Sequence, residues 1–169
     1  ERLSPAHQFN PAIYHAQIRN LVADQRFKNW QMPFNSDSAF WSDIGYELGG
    51  DQLRTRQDYE HYLDRLDQIP AYIDQQIANM GAGLKRGFSV PRAVLDGRDG
   101  SIAGIANLKD PEGTNFYDPY RKMPASIPAA EQVTLRAEGK AAIGNELVPA
   151  FAHLLTFFHQ DAVAHARTP

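Results

Sequence analysis

Three histidines near the end of the chain are the first residues whose type could support chemistry. His153, His159 and His165 follow one another at intervals of six residues. Six residues turn a helix by about 240°, so successive members do not share a face. Two zinc ligands on one helix usually stand about four residues apart, and no HExxH motif occurs in the sequence. These histidines are therefore predicted to be surface or packing residues rather than metal ligands.

A row of carboxylates is the second candidate. Glu60, Asp64 and Asp67 fall along one predicted helix, and two carboxylates in a cleft could act as general acid and base. Arg56 and Arg65 alternate with them, and cations at such spacings pair with acids on a helix surface. The pattern favours a solvated, salt-bridged face over an acid–base pair.

Other reactive groups are few. The chain has no cysteine, which excludes thiol nucleophiles, iron–sulfur clusters and cysteine-ligated zinc. No Gly-x-Ser-x-Gly motif is present, and Ser89 and Ser126 are interpreted as helix caps. Gly81, Gly83 and Gly87 are spaced somewhat like a phosphate loop, but they end a predicted helix instead of following a strand. Gly87 there suits the left-handed position just after the helix end. The residues alone assign no catalytic, cofactor-binding or metal-binding position.

Two aromatic-rich stretches connect the predicted helices. Residues 28–54 carry tryptophans and phenylalanines without a sustained period, and residues 109–125 include a cluster at 115–124 with Arg121 and Lys122. Connections this long are usually functional or are held in place by their own side chains. The favoured interpretation is that the aromatics fasten each loop to the helices. The alternative is that the two loops line a ligand cleft.

Helical patterns dominate the rest of the sequence. Thr55 and Asp58 form a capping-box signal, and no alternating strand pattern is present. The predicted helices cover residues 11–27, starting at Asn10-Pro11, then 55–67, 70–86, 91–107 with a break, and 126–166 with a kink at Pro149. The expected class is all-α, with about five helices, two long irregular loops and a long kinked C-terminal helix in a single domain spanning residues 1–169.

Composition limits the possible partners. The 169 residues are 43% hydrophobic and 11% aromatic, which is enough to build a core without disulfides or metals. A net charge of −3 argues against a nucleic-acid partner. The longest apolar run, Leu147–Phe158, is shorter than the roughly 20 residues of a membrane span. Because the sequence starts at Glu1, we expect a processed chain or a fragment of a larger one.

Several sequence blocks, in this order and spacing, resemble the bacterial family called domain of unknown function 885. The resemblance is clearest from residue 55 to residue 167. The blocks are Asp58–Leu66, Ile69–Ile77, Gly83–Val94, Phe116–Pro119, Met123–Pro128 and Val148–Phe151.

The resemblance implies a parent protein that is longer, mostly helical and exported, as a lipoprotein or a periplasmic protein of the cell envelope. Members of this family are grouped with zinc metallopeptidases whose HExxH segment lies downstream of the region matched here. This chain has no such segment, so no zinc ligand or catalytic glutamate is carried over to it. Zinc is expected in the parent protein and no cofactor in this chain.

Three hypotheses follow. The first is a non-catalytic helical region of a zinc metallopeptidase, forming scaffold and part of the wall of the substrate cleft. Its expected partners are the remainder of the parent chain, a peptide substrate, and a second copy bound through an exposed apolar surface. The second is an autonomous helical module that binds a peptide or small ligand between the two loops. The third is a self-contained hydrolase, which needs a histidine bonded to a carboxylate inside a cleft.

Overall fold

The computed structural model describes residues 5–49 and 53–168, and within these ranges the chain folds as packed helices. Extended pairing there is limited to two isolated bridges, Phe34 with Ala39 and Pro91 with Arg167. The predicted all-α class is confirmed. The helices are α1 (Pro5–Phe27), α2 (Phe40–Gly49), α3 (Arg56–Lys85), α4 (Asp99–Ala106), α5 (Asp118–Arg121), α6 (Ala129–Ala142) and α7 (Val148–Phe157).

Both ends of α3 carry the capping groups that the sequence predicts. At the start, Thr55 Oγ1 accepts from the Asp58 N–H at 3.2 Å, and Asp58 Oδ2 accepts from the Thr55 N–H at 2.8 Å. At the end, Gly87 adopts a φ of +74° and the Phe88 N–H donates to the Gly83 carbonyl at 2.9 Å. This Schellman arrangement needs the left-handed conformation that glycine adopts at no steric cost.

α3 also unites the two helices predicted at 55–67 and 70–86. The predicted helix start at Pro70 is wrong, because α3 runs through this proline without ending. A proline inside a helix costs about 3 kcal/mol through its missing N–H and its ring. Leu66 and Ile73, one turn on either side, are almost completely buried. Burial of such side chains along one continuous face outweighs that local cost.

α2 lies inside the stretch that the sequence predicts to be irregular, residues 28–54, and this part of the prediction is wrong. Trp41, Ile44 and Leu48 are spaced three and four residues apart, and all three are buried. The pattern is helical but covers fewer than three turns, so on its own it is too short to predict a helix. Packing against α3 stabilises this short helix.

Most aromatics of this stretch fasten it to the helices, as the favoured interpretation predicts. The ring of Trp41 lies 5.2 Å from Phe34 and 6.3 Å from Phe158, which follows α7. Its Nε1 donates to Ser101 Oγ at 3.0 Å. Tyr46 differs, since it is 84% exposed.

α1 starts at Pro5, so the predicted helix start at Asn10-Pro11 is wrong and Pro11 lies inside the helix. Residues 11–22 of α1 are exposed on every side. Water can therefore replace the hydrogen bond that a proline removes from an exposed helix.

The C-terminal helix is continuous from Ala129 to Ala162 and contains two π-helical turns, at Ile143–Leu147 and Phe158–Ala162. In the first turn the Val148 N–H donates to the Ile143 carbonyl, five residues back. The wider turn comes directly before Pro149, whose ring would clash with an ordinary preceding turn. The predicted long kinked helix is therefore confirmed, and Pro149 lies where the irregularity ends.

The same helix is, by length and composition, one that could cross a membrane. It is longer than Leu147–Phe158, the apolar run that was compared above with the length of a membrane span. Leu147, Phe151 and Leu154 have no exposed surface, and α7 packs against α3 and α4. Of the most apolar 18-residue stretch of this helix, 39% is buried within the fold.

The two serines interpreted as caps have other roles, so both assignments are wrong. No side chain caps α6, which follows Pro128, and Ser126 Oγ instead donates to the Arg54 carbonyl at 3.1 Å. Ser89 is buried, and its Oγ has no partner in the described part of the chain. Its carbonyl accepts from Arg167 Nε at 2.9 Å. Both serines thus belong to contacts between loops that are distant in sequence.

Candidate functional site

The two predicted loops come together around an open cavity of about 860 Å³, here called the interloop cavity. The first loop region contributes one residue of α2 and the two residues before Thr55. The second contributes Asn115 from the turn before α5, two residues of α5 and the turn that follows it. The lining residues are Gly45, Leu53, Arg54, Tyr59, Asn115, Asp118, Pro119, Lys122, Met123, Pro124 and Ala125.

Hydrogen bonds from α3 and Ser126 hold the cavity walls together. The Tyr59 hydroxyl donates to the Pro119 carbonyl at 2.9 Å, and Ser126 bridges to Arg54 from the other side. A Cβ on Gly45 would stand 2.7 Å from Asn115 Nδ2, so the glycine allows the amide to lie close against α2. Each wall is therefore positioned by a helix rather than by loop residues alone.

Cations exceed anions in the lining of the interloop cavity. Arg54 and Lys122 are its two cations, and Asp118 is its one carboxylate among the described residues. Asp118 Oδ1 is already paired with Arg121 Nε at 2.8 Å. Burial raises the pKa of Tyr59 above its ordinary value, so its phenol stays neutral and acts as a hydrogen-bond donor.

A cluster of four tyrosines forms the interior behind this cavity. Tyr120 has no exposed surface, and its ring centroid lies 5.5 Å from Tyr59, 5.9 Å from Tyr62 and 5.3 Å from Tyr117. Burial raises the pKa of Tyr62 and of Tyr120 well above the ordinary value. The aromatics at 115–124 thus fasten their own segment to α3, as the favoured interpretation predicts.

Removing single hydroxyls from this cluster should have opposite effects. The Tyr62 hydroxyl donates to the Phe116 carbonyl at 2.8 Å, whereas the buried Tyr120 hydroxyl has no partner in the described part of the chain. We expect Tyr62→Phe to lower the free energy of unfolding by about 1–2 kcal/mol and Tyr120→Phe to leave it unchanged or raise it by about 1 kcal/mol. Urea denaturation of both variants measures this, and a loss for Tyr120→Phe as large as that for Tyr62→Phe would contradict the assignment.

The three histidines lie apart, each with its own partner. His153 Nδ1 is 3.0 Å from Asp74 Oδ1, and His159 Nε2 is 3.0 Å from Asp99 Oδ2. His165 Nδ1 contacts a backbone carbonyl. Both histidine–carboxylate pairs are exposed at the surface instead of enclosed in a cleft. Neither of these two pairs, among the residues that the structure describes, is the enclosed pair that the self-contained hydrolase needs.

Of the acidic row on α3, Glu60 forms a surface ion pair. Glu60 Oε1 pairs with Arg56 Nε at 2.7 Å, and both side chains are exposed. Arg65 donates to the Glu47 carbonyl at 2.8 Å. Among residues 5–49 and 53–168, no group of three histidine, aspartate or glutamate side chains is placed to hold a metal ion.

A second groove, of about 510 Å³, lies between α2 and α3. Its floor is apolar and includes Ile44, Ile69 and Tyr72, while Asp43 and Glu47 stand at its rim. The sequence does not predict this groove, because one of its sides is α2 and that helix is not predicted. The apolar positions at 41, 44 and 48 were the available signal.

α1 presents an apolar surface with no covering element in the described part of the chain. Tyr14, Leu21 and Val22 are 60–62% exposed, and Ile18 between them is 39% exposed. Four large apolar side chains along one helix face form a contiguous patch, and patches of this kind mark interaction surfaces. This helix face is called the α1 face below.

These features define a strand-free helical domain, over the residues described, with an open cavity but no assembled reaction centre. The model of the family described as bacterial protein of unknown function (DUF885) matches residues 1–169, and the chain belongs to this family. Comparisons with curated proteins and with solved structures found no match.

Proposed function

We propose that this chain is the non-catalytic helical region of a zinc metallopeptidase and forms scaffold together with part of the wall of the substrate cleft. One observation carries the proposal: an open cavity, large enough for a short peptide, is built from helix-supported residues. In the part of the chain that the structure describes, no group of three histidine, aspartate or glutamate side chains is placed to hold a metal ion. The family match assigns no activity by itself. The support comes from the resemblance described above, which implies a longer helical protein with its zinc segment elsewhere. The expected place of action is the periplasm or cell envelope.

The test compares the 169-residue chain with the product of the complete reading frame. We expect the complete product to bind zinc and to hydrolyse peptides in a chelator-sensitive way, and the 169-residue chain to do neither. Metal analysis and a peptide-release assay measure both properties. A reading frame that ends at Pro169, or hydrolysis by the short chain alone, would overturn the proposal.

A second candidate is an autonomous module that binds a peptide or small ligand without chemistry. It is favoured by the same cavity, since residues from both predicted loops line it. The reading frame separates the two candidates. A frame that stops at Pro169, with ligand binding retained by the short chain, supports the module.

We further propose that the α1 face contacts the remainder of the parent chain, and that in the isolated chain it binds the same face of a second copy. Leu21→Glu should then shift the isolated chain from dimer to monomer, because a charge placed within the patch stays hydrated. Sedimentation velocity at micromolar concentrations measures this.

Ala16→Glu is the matched control for that experiment. Ala16 is exposed on the opposite side of α1 and receives the same charge. It should leave the dimer intact. A chain that is already monomeric before substitution would rule out the pairing of two copies.

A further inference from the structure

The interloop cavity contains a lysine, Lys122, whose positive charge is not paired with any described residue. Its one carboxylate in the described lining, Asp118, is paired with Arg121 at 2.8 Å. Lys122 lines the cavity from the turn after α5, and its ammonium group has no ion-pair or hydrogen-bond partner in the described part of the chain. Arg54 adds a second cation on the opposite wall. An anion entering here meets cations from both loops.

A directional hydrogen-bond donor stands beside these charges. The Asn115 side chain has no hydrogen-bond partner among residues 5–49 and 53–168, yet its position is confined by the close approach to Gly45. The amide can therefore donate to an oxygen in the cavity without first giving up another hydrogen bond. Apolar surface from Leu53, Met123 and Pro124 completes the lining.

We infer that the interloop cavity binds the carboxylate of an apolar peptide, with Lys122 and Asn115 as its recognition groups. The inference deepens the proposed function, because it names the chemical class of substrate that this wall would hold. Apolar surface next to Lys122 suits a carboxylate beside an aliphatic side chain better than a small inorganic dianion, which has no apolar part to bury there. The carboxylate can be a peptide C-terminus or an acidic side chain.

Three synthetic peptides test the inference: N-acetyl-Leu-Ala-Leu with a free C-terminus, the same peptide as its C-terminal amide, and N-acetyl-Leu-Glu-Leu amide. Calorimetric titration of the protein should give at least about tenfold tighter binding for a carboxylate peptide than for the neutral amide. A preference for the first peptide identifies the C-terminus as the recognised group, and a preference for the third identifies the acidic side chain. Equal affinity for all three peptides, or no binding of any, would overturn the inference.

Variants assign the effect to the cavity. Lys122→Gln and Asn115→Asp should each abolish most of the carboxylate preference, the first by removing the charge and the second by placing a carboxylate where a donor stood. Lys109→Gln and Asn107→Asp make the same changes at exposed positions outside the cavity. Both variants should retain the preference for the carboxylate peptides. Circular dichroism of all four variants checks that the fold is intact. If the control variants lose the preference as well, the cavity is not the binding site.

This experiment measures binding alone and uses no metal. Its failure is therefore distinct from failure of the proposed function, which depends on the reading frame, the zinc content and the hydrolysis of peptides by the complete product.

Discussion

Gly139→Ala should lower the free energy of unfolding by about 2–3 kcal/mol, although alanine is the better helix former. A Cβ at this position of α6 would stand 2.5 Å from ring atoms of Tyr120. Tyr120 has no exposed surface and is enclosed by Tyr59 and Tyr62, so its ring has no space to retreat. The added methyl group therefore forces α6 away from the tyrosine cluster. Thermal and urea denaturation of the variant measure the loss.

Gly81→Ala is the matched control, because Gly81 lies inside α3 and a Cβ there would meet nothing within 4 Å. At this position only the higher helix propensity of alanine acts. It should raise the free energy of unfolding by about 0.5–1 kcal/mol. Opposite signs for the two variants would establish that the contact with Tyr120, rather than glycine flexibility, determines the first result. A stabilising Gly139→Ala would show that α6 and the tyrosine cluster are not in contact as described.

Phe151→Ala should destabilise the chain by about 3–5 kcal/mol. Phe151 has no exposed surface and lies on α7, the helix that packs against both α3 and α4. Truncation leaves a cavity where three helices meet, and the surrounding side chains can fill it only in part. Since a domain of this size is stable by only about 5–15 kcal/mol, the variant should be close to unfolding.

Tyr46→Ala is the control variant for Phe151→Ala. Tyr46 is 84% exposed on α2 and should change the free energy of unfolding by less than about 0.5 kcal/mol. Urea denaturation of the two variants under identical conditions gives the contrast. A loss below about 1 kcal/mol for Phe151→Ala would mean that α7 is not the centre of the core.

The Gly139→Ala prediction also bears on the interloop cavity. Tyr59 belongs to the tyrosine cluster and also lines the cavity, where its hydroxyl holds the Pro119 carbonyl. A displaced α6 would therefore disturb the wall that carries Lys122. We expect Gly139→Ala to weaken binding of the carboxylate peptides, while Gly81→Ala leaves their affinity unchanged.

Sequence patterns correctly predicted the features of the helices that depend only on neighbouring residues. The capping box at Thr55 and Asp58 and the left-handed Gly87 at the end of α3 were predictable, because each depends on residues within one turn. The long apolar pattern of the C-terminal helix was also sufficient, since it repeats over many turns. The histidine spacing correctly predicted that His153, His159 and His165 do not meet.

Tertiary packing decided the remaining features, for reasons that no local pattern contains. α3 continues through Pro70 because buried neighbours on both sides outweigh a local cost of about 3 kcal/mol. α2 is too short to be stable alone, and it forms because Trp41 and its apolar neighbours are buried against the rest of the chain. The interloop cavity joins residues that are about 70 positions apart, such as Gly45 and Asn115. The sequence by itself determined the helical class and the two ends of α3, whereas contacts between distant residues decided the other helix ends, which helices merge and where a ligand can bind.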